Sequence, residues 1–376
     1  MIFVNRMTMS FESFYRPNPN FPNRYISPET VEKFLQENLS DLISKVGVSH
    51  EGRTIYKVSL GTGRTRVLAW SQMHGNESNS THALFDMLFT LQELPHLQQD
   101  LFSRIKLDFI VMLNPDGSAL WTRRNAIDID LNRDYVYGSS KEFPILRGLA
   151  ENGSYDYGLN LHEQRTLFST DGQHPATLSF LAPAENKERE VTPTRKKAMA
   201  VIAELRKLME GLVPNQVARY NDEFYPSSTG DNFTKMGLAT ILFEGGHFQG
   251  DYLRKETRKY YTIALYYALQ LIAELKGSTE GYEAYFEIPE NKESHFDLIY
   301  RNVRLETSYE CILDIAVQYK EEKRKENPDI SFVPMVVEVG DCSSKKGWVE
   351  IDCTGKKFKC DRKYPKLDAP MDFEIL

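Results

Sequence analysis

Four short apolar runs constrain this chain most: RVLAWSQM at 66–73, KLDFIVMLN at 106–114, YGLNLHE at 157–163 and LATILFEGG at 238–246. Each is mostly apolar and ends in polar or glycine residues, as strands buried on both faces do. Longer amphipathic segments lie between and after them, SNSTHALFDMLFTLQEL at 78–94, TRKKAMAVIAELRKLMEGL at 194–212 and RKETRKYYTIALYYALQLIAELKG at 254–277, the last closed by a glycine. Such alternation predicts an α/β fold, a mixed and mostly parallel sheet flanked by helices. After Gly277 the texture changes. Residues 277–294 are polar, carry Gly and Pro, and read as a linker between a domain at 1–276 and a small β-rich accessory domain at 295–376. In the latter, 296–306, 330–340 and 348–358 are strand candidates, and QYKEEKRKENP at 318–328 is helix-like.

The 376 residues are 41% apolar and 26% charged, an ordinary globular composition. A net charge of −7 with both signs interspersed argues against a nucleic-acid or anionic-membrane partner. The N-terminal segment has few consecutive apolar residues and no small-residue cleavage site, and no window approaches the roughly 20 apolar residues of a membrane span. A cytoplasmic protein is expected. Cys311, Cys342, Cys353 and Cys360 all fall in the last quarter and form no C-x-x-C pair, which fits reduced thiols in a core better than a zinc ribbon.

The stretch HGNE at 74–77 follows the first apolar run. His74 falls in the turn and Glu77 in the first turn of the next helix, where both side chains can converge on one point. A catalytic zinc ion needs three protein ligands and an open fourth position. His162 ends another buried run, and in an open α/β sheet ligands bind at the carboxyl ends of the strands, so His162 can meet His74 there. DLNRD at 130–134 adds Asn132 and Arg133, and FEGG adds Glu244, a strand-borne carboxylate whose burial implies a use or a partner.

H-x-x-E at 74 and 77, NPDG at 114–117, TRRN at 122–125, DLNRD at 130–134, His162, Y-x-x-x-x-G at 225–230 and Glu244 occur in the order found in zinc metallocarboxypeptidases of the carboxypeptidase A clan, which the chain resembles over about 20–276. The resemblance implies that His74, Glu77 and His162 hold one zinc ion and that Glu244 is the general base. It implies that Arg123, with Arg124 as fallback, faces the developing oxyanion, and that Asn132 and Arg133 hold the substrate's terminal carboxylate. Tyr225 would sit on a mobile loop, and Asp231 near the side-chain pocket would favour a basic terminal residue. Two imidazoles and one carboxylate leave the ion with net positive charge, which lowers the pKa of its water toward about 7.

Some residues admit other readings. Arg133 could be an ion pair with Asp134, and His247, three residues after Glu244, could line the pocket. The GN between His74 and Glu77 lacks the arginine that digestive carboxypeptidases carry there. HGNE followed by DLNR also occurs in the aspartoacylase and succinylglutamate desuccinylase branch of the clan. The expected function is therefore a zinc-dependent exopeptidase acting on small peptides, with a deacylase of N-acyl amino acids and an inactive peptide-binding module as alternatives. No oligomeric state follows.

Overall fold

The structure is a computed structural model and describes residues 11–306 and 310–376; the first ten residues of the N-terminal segment discussed above lie outside them. In chain order the first strands are β1 (Ile43–Val48), β2 (Thr54–Leu60), β3 (Thr65–Ser71), β4 (Ile105–Val111) and β5 (Tyr157–Glu163). They are followed by β6 (Phe168–Ser169), β7 (Leu178–Leu181), β8 (Val217–Arg219) and β9 (Ala239–Gly245). The helices are α1 (Phe11–Phe14), α2 (Pro28–Asn38), α3 (Asn79–Gln92), α4 (Pro95–Arg104), α5 (Pro115–Leu120), α6 (Phe143–Asn152), α7 (Pro193–Glu210), α8 (Thr229–Lys235) and α9 (Lys255–Leu275).

The main sheet runs β1-β2-β4-β3-β5-β9-β7-β8. Its centre, β4-β3-β5-β9, is parallel, and antiparallel pairings flank it, so the expected mixed α/β sheet is present. The mostly apolar runs are explained by the two faces. Along β3, Val67 and Ala69 join the large cluster that contains α3, α7 and α9, while Leu68 and Trp70 join a second cluster with Phe143, Leu146 and Phe233 from α6 and α8. Side chains alternate across a strand, so a strand covered on both sides has no polar face.

This topology also places a crevice. From β3 the chain crosses to β4 on one side, then returns to β5 on the other. Loops leaving the carboxyl ends of β3 and β5 diverge at that switch point, and ligands of open α/β sheets bind there.

The remaining strands are β10 (Lys292–Glu293), β11 (His295–Glu306), β12 (Glu310–Lys323), β13 (Ile330–Gly340), β14 (Lys346–Asp352), β15 (Phe358–Cys360), β16 (Ala369–Pro370) and β17 (Phe373–Ile375). They form a sheet β14-β11-β12-β13-β16 and a pair β15-β17 around Ile315, Val317, Val336, Cys353 and Phe373. Cys342 and Cys353 are buried, Cys360 is half-buried and Cys311 is exposed.

Two segments of this region differ from expectation. The segment read as helix-like at 318–328 is largely strand, paired with β13 through Lys323. Its charges follow the strand period: Lys320 and Glu322, two apart, share a face and pair at 3.1 Å, an arrangement a helix would separate. The run at 348–358 is two strands, because Gly355 takes a positive φ of 75° between β14 and β15. Residues 277–294, read as a linker, pack on the main domain: Tyr285 is fully buried, its hydroxyl accepts from the Ala182 N–H, and β10 pairs with β6. Among the described residues no helix is long and apolar enough to cross a membrane.

Candidate metal centre and substrate cleft

The turn after β3 brings His74 to the crevice. Gln72, at φ 44°, redirects the chain, and its amide donates to the Gly75 carbonyl at 2.9 Å. A Cβ at Gly75 would fall 2.1 Å from the backbone carbon of Gly117, so HGNE and the NPDG of α5 meet at a distance that excludes a side chain. His162 comes from β5 and Glu244 from the neighbouring β9. Their residues are paired in register, and both side chains belong to the same cleft.

His74, Glu77 and His162 are buried and their ligand atoms lie within 4.8 Å of one another. Nδ1 of His74 is 2.8 Å from Glu77 Oε1, Nδ1 of His162 is 2.8 Å from Glu77 Oε2, and the two Nδ1 atoms are 3.1 Å apart. Two imidazole nitrogens and a carboxylate facing one another in a buried spot suit a borderline cation such as zinc. The outer contacts agree: Asp130 Oδ1 lies 3.1 Å from His74 Nε2, which leaves Nδ1 as the free donor, and the Glu163 N–H donates to Glu77 Oε2 at 3.1 Å. His162 Nε2 has no hydrogen-bond partner among the described residues.

Electrostatics keep Glu77 ionised. Burial opposes its charge, yet the two imidazoles hold it far below the usual carboxylate range. At His74 burial disfavours protonation, but Glu77 and Asp130 outweigh it and the pKa lies above the ordinary histidine value. At His162 burial prevails and the pKa is lowered. Glu244 is the opposite of Glu77: burial, reinforced by the charge of Glu77, pushes its pKa well up, and its buried Oε2 has no partner among the described residues. Two nearby carboxylates driven in opposite directions are the arrangement by which a site separates a permanent anion from a proton carrier.

The cleft has a volume of about 540 Å³ and also contains Arg123, Asn132, Arg133, Tyr225 and Asp231. Asp130 holds Arg123 through Nε and Nη2, each at 3.0 Å, and its Nη1 reaches His74 Nδ1 at 3.1 Å and Glu77 Oε1 at 3.4 Å. Arg124 turns away to Asp128. Asn132 Oδ1 accepts from the Thr229 N–H. Arg133 lies over the Tyr225 ring at 5.3 Å. It forms no ion pair with Asp134, whose carboxylate accepts from the backbone of Ser139 and Ser140 instead. Tyr225 is 47% exposed at the mouth, its hydroxyl 3.3 Å from Glu223. Asp231 is buried, accepts from the Tyr225 N–H, and is pushed up to about 6 by burial. His247 does not line this cleft; it packs between Tyr252 and Trp348, 5.2 Å from each ring.

Asp130 belongs to the DLNRD motif, yet its role at His74 is not among those the resemblance implies. The available signal was a carboxylate two residues ahead of Asn132, in a loop that had to approach His74.

The family model for zinc carboxypeptidases matches residues 30–204, which include His74, Glu77, Arg123, Asn132, Arg133 and His162. Among solved structures, the chain is similar to a metallo-carboxypeptidase from Burkholderia cenocepacia, with 18% identity, 67% of this chain and 70% of that one covered, and a TM-score of 0.53. It is similar to a metallo-carboxypeptidase from Pseudomonas aeruginosa in complex with (2-guanidinoethylmercapto)succinic acid, at 15% identity over 68% and 70%, with a TM-score of 0.50. A third is bovine thrombin-activatable fibrinolysis inhibitor in complex with tick carboxypeptidase inhibitor, at 14% identity over 66% and 98%, with a TM-score of 0.52. Comparison with curated protein sequences finds no match. The resemblance read from the motifs is thus met by a family-model match and a carboxypeptidase-like fold.

Proposed function

We propose that the protein is a zinc-dependent exopeptidase that hydrolyses the C-terminal residue of small peptides, with 1–276 as its catalytic domain, 277–294 as the connection and 295–376 as an accessory β domain. The observation that carries this reading is the convergence of His74, Glu77 and His162 in the same cleft as an unpartnered Glu244 and an arginine with no carboxylate of its own.

One zinc ion held by His74, Glu77 and His162 would supply Lewis acidity to water and to the scissile carbonyl. The other roles fall to the chain itself. Arg133 pairs with no carboxylate among the described residues, so its guanidinium can take the substrate's terminal carboxylate bidentately. With Asn132 Oδ1 occupied by the Thr229 N–H, its amide N–H groups can donate to the same carboxylate. That anchor makes the enzyme count from the chain end. Glu244, held on a strand with a raised pKa, takes the proton of the attacking water and passes it to the leaving amine. Arg123, fixed by Asp130, opposes the charge that develops on the carbonyl oxygen. Tyr225, exposed on its loop, folds in over the bound residue. Asp231, ionised above about pH 6, selects a basic terminal side chain.

The test is hydrolysis of two panels, C-terminally diverse short peptides and N-acyl amino acids, by zinc-loaded protein with a chelator control. Chelator-sensitive release of C-terminal residues, with KM for peptides raised in Arg133→Ala, is the expected result. Cleavage of the acyl panel alone moves the protein to the deacylase branch, and silence on both panels overturns the enzyme reading.

A further inference from the structure

A second cavity, of about 700 Å³, opens beside the cleft. It shares Glu77, Arg123, Glu163, Gln164 and Arg165 with the cleft, but none of Asn132, Arg133, Tyr225 or Asp231. Its far wall is the accessory domain: Gln318, Lys320 and Glu321 of β12 and Met335 and Val337 of β13. That wall is fixed in place. Gln318 donates to Thr166 Oγ1 at 2.6 Å, Trp348 Nε1 donates to the Thr166 carbonyl at 2.7 Å, and Arg24 pairs with Glu321 at 2.7 Å. Asp329 accepts from the backbone N–H groups of Arg24 and Tyr25.

The cavity's cations are not all matched by its anions. Arg24 is taken by Glu163 and Glu321, and Lys320 by Glu322. Arg254 is 2% exposed and has no carboxylate at ion-pair distance among the described residues; it donates only to the carbonyls of Gly245 and Gln164, and its Nε has no partner. Arg165, on the rim common to cavity and cleft, is exposed and likewise forms no ion pair among the described residues. Buried polar atoms without partners are uncommon, and a guanidinium without a counter-ion is costly to bury. Asn76, which stands where the resemblance places an arginine in digestive enzymes, lines the same cavity with its Oδ1 unpartnered.

We infer that this interdomain cavity is the subsite for the part of the substrate on the acyl side of the scissile bond, and that it selects acidic acyl-side residues through Arg165 and Arg254. The inference rests on the exopeptidase reading for its direction. If the terminal residue lies over Asn132 and Arg133 and the scissile bond at His74, Glu77 and His162, the acyl side must leave away from those anchors. The cavity is the space that continues past Glu77 and Arg123. The accessory domain is then a wall of the active site, and its size suits one or two residues.

The experiment compares N-acetylated peptides with one common C-terminal residue preceded by glutamate, glutamine or lysine. The wild-type protein is expected to favour glutamate over lysine in kcat/KM by roughly tenfold or more, the scale of a charge-assisted hydrogen bond. In Arg165→Glu the preference should collapse or invert, and in Met335→Trp, which fills the cavity, KM for all peptides longer than a dipeptide should rise. Equal rates for the three peptides, or a ratio unchanged in Arg165→Glu, would overturn the inference. Calorimetry with acetyl-Glu-Gln and acetyl-Gln-Gln, which share their C-terminal residue, on the metal-free chain separates the two readings. Should no peptide be cleaved, the exopeptidase proposal fails. Tighter binding of the acidic peptide, lost in Met335→Trp, still supports the cavity, and equal binding of both refutes it.

Discussion

Asp130→Asn isolates a contribution that only the structure reveals. The two carboxylate oxygens of Asp130 face different donors: Oδ1 lies 3.1 Å from His74 Nε2 and Oδ2 lies 3.0 Å from Arg123 Nε. Asparagine keeps the shape but has one acceptor, so its NH2 must face either the His74 N–H or the Arg123 guanidinium, and one contact becomes a donor-donor clash. Partners that orient a metal-ligating histidine are typically worth about 10–100-fold in metal affinity. A tenfold change is about 1.4 kcal/mol, so zinc binding should weaken by about 1.4–2.8 kcal/mol. The pH dependence gives a second check. Asp130 also helps hold a proton on His74 in the metal-free chain, and zinc must displace that proton. The variant's loss should therefore be largest above the titration of His74 and shrink below it. Competition with a chromophoric zinc chelator across pH, alongside thermal melts of the metal-free proteins, measures both. Wild-type zinc affinity in a folded Asp130→Asn protein would show that the carboxylate does not position the ligand.

Three further outcomes follow from the geometry. Glu244→Gln should cut kcat by about 10²–10⁴-fold while zinc still binds, because the proton carrier is lost and the ligands are not; a turnover within threefold of wild type would remove Glu244 from the mechanism. Preference for a C-terminal lysine or arginine over leucine should be present above about pH 6 and fade as pH falls through it, since Asp231 loses its charge there; Asp231→Asn should show a flat ratio, and a flat ratio in the wild type would refute the assignment. Burial lowers His247 to about 3 and His295 to about 4, and both pack on Trp348, His247 from the main domain and His295 from within the accessory domain. Each is neutral in the fold and protonates more readily unfolded, so their contribution is complete above about pH 6.5 and is lost as pH falls toward 4 and then 3. Thermal melts should drop by several degrees over that window, less so in His295→Phe, and parallel curves for the two proteins would count against the pair.

Where the sequence was legible, one local cause dominated. β5 at Tyr157–Glu163 and β13 at Ile330–Gly340 match the runs read from sequence, because strand burial writes itself into consecutive residues. The end of β12 reads as a helix because KEEK at 320–323 is locally compatible with one, and only the ladder to β13 decides otherwise.

The candidate site divides in the same way. The identity of His74, Glu77, His162 and Glu244 is carried by motif spacing and by their place at strand ends, since the sheet must deliver strand ends to one edge. What the tertiary structure decided is everything that depends on approach between distant segments. Asp130 touches His74 across 56 residues of chain, Arg24 meets Glu321 across 297, and the accessory domain closes a cavity beside the cleft. No local pattern encodes such contacts, because the free energy that selects them comes from burying two surfaces against each other, and neither surface exists until its own segment has folded.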